Sequence, residues 1–139
     1  MNVEIVNANH ISFDMIPQQI DSERWALVGS VYNRSDERWI GSADNEIACI
    51  WGLIPPSLMS DQAYIWLFHN ELVEKHKFAF IRHSQVQVQR MLKLYPYIVG
   101  DCQLANTTGR RWLQWLGAKF KAPNPYGLAP FEIKASANG

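Results

Sequence analysis

Apolar residues recur with two different periods along this chain, and the alternation between them lays out the elements. Short runs rich in Ile, Val, Trp, Tyr and Phe predict strands: "VEIV" at 3–6, "ERWIGS" at 37–42, "EIACIWGLI" at 46–54 and "AYIWLFH" at 63–69. The last two are the firmest, bounded by Pro55-Pro56 and by Asn and Asp, and are expected to be neighbouring central strands. Between the first run and the second, "HISFDMIPQQI" and "DSERWALVGSV" read as two weakly helical stretches, the second capped by Asp21 or Ser22. From Phe78 to Tyr95 the residues Phe78, Ile81, Val88, Leu92 and Tyr95 share one side at helical spacing, and Pro96 closes that helix. "YIVGDCQL" then reads as a buried strand. A helix carrying Trp112, Leu113, Trp115 and Leu116 follows, with Thr107 or Thr108 as its cap and Gly117 as its left-handed stop. "AKF" and "PFEIKA" supply the last two strands.

This order predicts an α+β fold, a central mixed sheet of about six to seven strands flanked by about four helices. The 139 residues suit one domain, expected to span 1–134, with the small-residue tail 135–139 flexible. With 47% hydrophobic residues, 19% charged residues and six Trp, disorder is excluded. No run approaches the roughly 18 apolar residues of a membrane helix, and the first ten residues lack the pattern of a secretory signal, so the expected location is the cytoplasm in which the chain is made, with no membrane partner. Cys49 and Cys102 lie in separate strand-like runs without metal-ligand spacing. Buried reduced thiols are expected, with no disulfide and no metal.

Net charge is zero, yet it is unevenly distributed. Residues 1–74 hold 11 acidic and 3 basic residues, whereas residues 75–121 hold 9 basic residues and one acid, Asp101, which gives segments of −8 and +8. Either the fold mixes these charges over its surface or it presents a polar surface to a partner.

The element order resembles the GNAT N-acetyltransferase fold, and the segment "LANTTGRRWLQWLGAKF", residues 104–120, carries the likeness at residue level. Acetyltransferases of that superfamily commonly show N-x-x-A-x-x-x-Y-x-x-x-G-F here. Asn106 matches the Asn, which helps hold coenzyme A in the family; Gly109 stands at the Ala and Gly117 matches the Gly. Leu113 stands at the Tyr that often protonates the departing thiolate, and Leu donates no proton. The family's pyrophosphate loop, Q/R-x-x-G-x-G/A between the fourth strand and the third helix, has no counterpart, because this chain has no glycine between Gly52 and Gly100. The corresponding "HNELVEKHKFAF", residues 69–80, instead places Glu71 and Glu74 near the phosphate position, where carboxylates repel phosphate.

Over residues 46–134 the chain further resembles a phage-encoded GNAT-like family that includes internal virion proteins of short-tailed phages, most specifically in the Asn-Thr-x-x-x-Arg-Trp/Phe-Leu-x-x-x-Gly-Ala segment from Asn106 to Ala118. That resemblance implies a virion or assembly component, made in the host cytoplasm, whose partners are other virion proteins or copies of itself. The expected function is structural, through protein contacts, with no catalytic residue and no cofactor. The alternative is an active N-acetyltransferase that uses acetyl-CoA, with Asn106 on the cofactor and Glu71 or His69 as base.

The same residues have plainer roles. Asn106 is a good helix cap, and the Trp112, Trp115 and Leu116 stripe reads as core or interface. Arg110 and Arg111 in the first helical turn oppose the helix dipole, which marks them for a partner or an anion. His83, Arg82, Arg90 and Lys93 make the long helix basic, but a pI near 7 argues against nucleic acid. "APNPYGLAP", residues 122–130, is expected to be an exposed loop with Tyr126 and Leu128 near its tip as docking residues.

Overall fold

A computed structural model describes residues 3–58 and 61–135. The chain forms a mixed seven-stranded sheet in the order β1-β2-β3-β4-β5-β7-β6. The strands are β1 (Val3–Asn7), β2 (Glu37–Ala43), β3 (Glu46–Ile54), β4 (Ala63–His69), β5 (Tyr97–Gln103), β6 (Lys119–Phe120) and β7 (Leu128–Lys134). Strands β1 to β4 are antiparallel, as are β5, β7 and β6, and one parallel contact between β4 and β5 joins the two groups. Four helices cover the sheet: α1 (Ser22–Arg34), a single turn α2 (Leu72–Lys75), α3 (Lys77–Leu94) and α4 (Thr107–Trp115). None of them is long and apolar enough to cross a membrane. Of the expected tail, Ala135 is tied to the Pro96 carbonyl at 2.8 Å, and residues 136–139 lie outside the described residues.

Strand alternation divides the core in two. On one face Ile65 of β4, Trp51 and Leu53 of β3 and Ile98 of β5 pack under α3 and α4. On the other, Ile50 and Trp66 pack under α1 with Trp25, Tyr32 and Ile16. The stretch from His10 to Ile20 is not helical apart from one 3₁₀ turn at Phe13–Met15. Pro17 has no N–H to continue a helix and holds Ile16 extended, at φ −90° and ψ 125°. The Phe13 ring then fills the space over Gly29 and packs on Trp25 at 4.8 Å.

The buried row of α3 is Phe80, Ser84, Val88, Met91 and Leu92. Phe78, expected on that face, points outward at 72% exposure, since it starts a stripe two residues out of step with Phe80. Helix α4 is capped by Asn106, whose side chain accepts from the Gly109 amide, in place of the expected Thr107 or Thr108. The helix buries Trp112 and Leu113 and ends at Gly117, φ 96°, while Trp115, of the stripe expected to be core or interface, turns to solvent at 65% exposure and lies outside the core. Cys49 and Cys102 are buried free thiols, and burial pushes Cys49 up to about 12.

The β4–β5 junction is narrow. Only Ala63↔Ile98 and Tyr64↔Val99 are paired. A Cβ on the next residue, Gly100, would stand 2.6 Å from the Ile65 carbonyl oxygen and 2.5 Å from the Phe131 ring, so this close approach needs glycine.

Trp112 and Leu116 are 4% and 8% exposed. Truncating either to Ala is expected to cost about 2 to 5 kcal/mol in denaturant unfolding; losses below about 1 kcal/mol at both would contradict this packing. A second expectation concerns pH. His83 on α3 lies edge-on to Trp39 at 5.5 Å, burial lowers its pKa below 6.5, and its Nε2 has no hydrogen-bond partner among the described residues. As pH falls the unfolded chain takes up this proton first, so stability is full above the unfolded value and declines as pH drops through and below it. His83→Phe, which keeps a ring against Trp39, should flatten that decline in a series of melting temperatures from about pH 7.5 to about pH 5.

Candidate functional site

Beyond Tyr64 and Val99 the strands β4 and β5 part, although β4 runs on to His69 and β5 to Gln103. The gap opens a cleft of about 460 Å³. Its walls are Ile65 to His69 of β4, Asp101 to Gln103 of β5, and Asn106, Gly109, Trp112, Leu113 and Leu116 of α4, with Arg24, Leu27 and Val28 of α1 at the opposite side. A mostly apolar lining with a few polar groups is usual for a small-molecule site.

Two of the predicted site residues meet there. His69, the last residue of β4, and Asn106, the cap of α4, face each other with Nε2 lying 3.0 Å from Nδ2 and 3.1 Å from Oδ1. The Gly109 amide already donates to Oδ1 at 2.9 Å. With the ring proton on Nδ1 the Asn106 NH₂ donates to Nε2; with it on Nε2 the ring donates to Oδ1, which has a second lone pair. A Cβ on Gly109 would lie 2.5 Å from Nδ2, so a side chain there would push the amide away from His69. In either tautomer Nε2 of His69 is paired with the Asn106 amide.

Two more polar bridges tie α4 to the preceding layer. The Thr108 hydroxyl donates to the Glu74 carboxylate of α2. The Trp112 indole donates to Ser84 Oγ at 2.7 Å, and Ser84 Oγ lies 2.8 Å from the Phe80 carbonyl, to which it donates. Leu113 is buried at 5% exposure beside them.

The connection between β4 and α3 spends five of its backbone donors within the protein. The Asn70 amide donates to Ala48 O, Leu72 to the Asn70 side chain, Val73 to Asn70 O, Glu74 to Glu71 O and His76 to Val73 O. These donors are turned onto the segment's own acceptors or onto β3, the reverse of an anion-binding nest. Glu71 is exposed at the start of α2 and does not line the cleft, so the structure separates it from His69 as a candidate base.

On the α1 side the Tyr64 hydroxyl donates to Asp101 Oδ2 at 3.1 Å; burial and that carboxylate raise its pKa to about 12. Burial also raises the Cys102 thiol, partly opposed by Arg110. Neither group is ionised near neutral pH, so the cleft walls hold no ready phenolate or thiolate.

The predicted interaction residues are dispersed. Arg110 folds back, its guanidinium 5.8 Å from the Phe120 ring and Nη1 3.5 Å from Leu104 O, whereas Arg111 is exposed. Tyr126 stands at the loop tip at 88% exposure. Leu128 does not; as the first residue of β7 it pairs with Gln103 and lines the cleft. The bridge from Trp112 to Ser84 was missed in sequence, although a serine four residues from both Phe80 and Val88 on a buried helix row signals that a polar partner must exist.

No protein-family sequence model and no curated protein matches the chain in sequence. Solved structures match it in shape. An acetyltransferase from Bacillus subtilis, solved in complex with CoA, superposes with a TM-score of 0.61 at 12% identity over 97% of this chain and 100% of that one. The IAA acetyltransferase from Bacillus cereus ATCC 14579 gives 0.67 at 10% identity over 96% and 99%. An N-acetyltransferase from Staphylococcus aureus Mu50 gives 0.62 at 14% identity over 96% and 99%. The fold is that of the GNAT acetyltransferases. At these identities the likeness establishes fold alone, and activity has to be argued from the site.

Asn106→Ala is expected to cost about 0.5–2 kcal/mol through loss of the cap, whereas Asn106→Asp keeps the acceptor for the Gly109 amide and most of that stability. Equal losses in thermal unfolding of the two variants would show that the cap is not the stabilising contact.

Proposed function

We propose that this chain is a non-catalytic GNAT-fold protein that works through protein contacts, as a component of a phage particle or of its assembly. The observation that carries the reading is the closure of α4 onto β4, α2 and α3 by His69–Asn106, Glu74–Thr108 and Ser84–Trp112. These bridges run from the β4–α3 connection to Asn106, where the resemblance assigns coenzyme A. The residues present do not fit that group: the connection has no glycine, five of its amides are bonded within the protein, two carboxylates stand beside them, and a buried Leu113 occupies the acid's position. The phage assignment is supported by the resemblance over residues 46–134, strongest from Asn106 to Ala118. A shape kept while its polar groups turn to structural use fits a scaffold or contact role.

The alternative, acyl transfer from acetyl-CoA to an amine, draws support from the 460 Å³ cleft with His69 on its wall. A thermal-shift titration separates the readings. A ligand specific for the folded state stabilises it by about 2.7 kcal/mol at 100 times its dissociation constant. Acetyl-CoA at submillimolar concentration is expected to produce no shift. A clear shift, removed by Asn106→Ala and accompanied by acetyl transfer to an amine, would establish the enzyme instead. Mass measurement of purified particles is expected to find the chain in them, and its absence would remove the virion part of the proposal.

A further inference from the structure

Helices α3 and α4 carry no carboxylate anywhere in their sequences. Along α3 the residues Phe78, Arg82, Val86 and Lys93, with Gln89 between the last two, follow steps of four and three and form one outward stripe. Phe78 and Val86 are 72% and 62% exposed. The Gln85 side-chain amide reaches the Trp115 carbonyl at 3.5 Å, so the end of α4 abuts the middle of α3 and adds exposed Trp115 and, one turn earlier, Arg111. Arg82, Lys93 and Arg111 are all exposed, and none is paired with a carboxylate among the described residues. The layer therefore presents free cations interleaved with an exposed Trp, Phe and Val, and Trp and Arg are among the residue types that concentrate binding energy at protein interfaces.

The same molecule carries the complementary charge at the end of the sheet from which α3 and α4 start. Strands β3 and β4 pair Cys49 with His69, and the Asn70 amide bonds to Ala48 O, so the β2–β3 turn and α2 share one end of the sheet. That end displays Glu46 and Glu71, both exposed, with Asp44 and the Thr108-bonded Glu74 beside them and Lys75 and Lys77 as the nearest cations in sequence. A net charge of zero divided in this way disfavours nucleic acid, whose recognition calls for a surplus of positive charge over the whole domain. We infer that the basic, apolar outer face of α3 and α4 docks the acidic sheet end of a second copy of this chain, head to tail. This rests on the contact role proposed above and names its partner. Because the two surfaces differ, the contact is heterologous and propagates as a ring or an open stack.

Sedimentation velocity on the full chain tests it. At about 50 mM salt the wild type is expected to associate with rising concentration, and at about 500 mM salt it should dissociate as screening shortens to a few ångströms. Arg82→Glu with Lys93→Glu should weaken association at least tenfold, as should Glu46→Lys with Glu71→Lys, while circular dichroism shows both variants folded. Mixed together, the two variants regain opposite faces and should associate again, which a merely misfolded variant would not do. Trp115→Ala should weaken association without altering its salt dependence. A monomer at low salt, association indifferent to both reversals, or a mixture that stays monomeric would overturn the inference. So would a wild type that stays monomeric but binds a single-stranded oligonucleotide through Arg82 and Lys93. None of these outcomes bears on the acetyl-CoA titration, which decides the underlying reading separately.

Discussion

Two residue pairs, Ala63↔Ile98 and Tyr64↔Val99, hold the two halves of the sheet in one plane. Each half is antiparallel, but the join between them is parallel and needs a crossover, here α2 and α3. With Gly100 allowing contact at the fork and nothing pairing the strands beyond it, the structure must fill or bridge the opening. Helix α4 does both. Trp112 and Leu113 supply apolar bulk, and Asn106, Thr108 and the Trp112 indole supply the polar ties.

The same constraint explains how polar groups suited to catalysis come to serve packing. A histidine at the end of a strand bordering a cleft is a good candidate base on position alone, but an unpaired ring nitrogen in a part-buried setting is costly. The cap of α4 satisfies it. Asn106 can serve both the Gly109 amide and His69 because its oxygen offers two lone pairs and its nitrogen two protons. Glu74 and Ser84 are used in the same way, each meeting a hydroxyl or indole from α4.

Much of this fold is legible in the sequence where one physical signal dominates. The Ile- and Trp-rich runs at 46–54 and 63–69 are strands because their side chains must be covered on both faces, and the structure pairs them as neighbours. Gly117 marks the end of α4 because few other residues adopt its positive φ. Where two signals compete, the pattern misleads. Phe78 obeys helical spacing with Ile81 yet lies outside, because Phe80 and Ser84 set the face that meets the sheet and α4. The stretch before Pro17 reads as weakly helical, but Pro17 has no N–H to carry a helix on and turns Ile16 to extended backbone. The candidate site was half visible: His69 and Asn106 were both legible as residues, while their meeting depends on the return of β5 beside β4, a contact 37 residues apart. Glu71 lies only two residues from His69, yet the turn into α2 carries it away from the cleft.

The loop between β6 and β7 shows what a small polar residue can do for a large exposed one. Asn124 Oδ1 accepts from the amides of Tyr126 at 2.9 Å and Leu128 at 3.0 Å, and the Asn124 amide donates to Leu128 O at 2.8 Å. Gly127 closes the turn, and its carbonyl is tied to Leu104. The backbone beneath Tyr126 is thereby fixed before anything approaches it. Docking a side chain from a mobile loop gives up backbone freedom along with rotamers; from this loop it gives up little more than the two torsions of the tyrosine itself. A contact made through Tyr126 would begin with most of its ordering entropy already spent in folding.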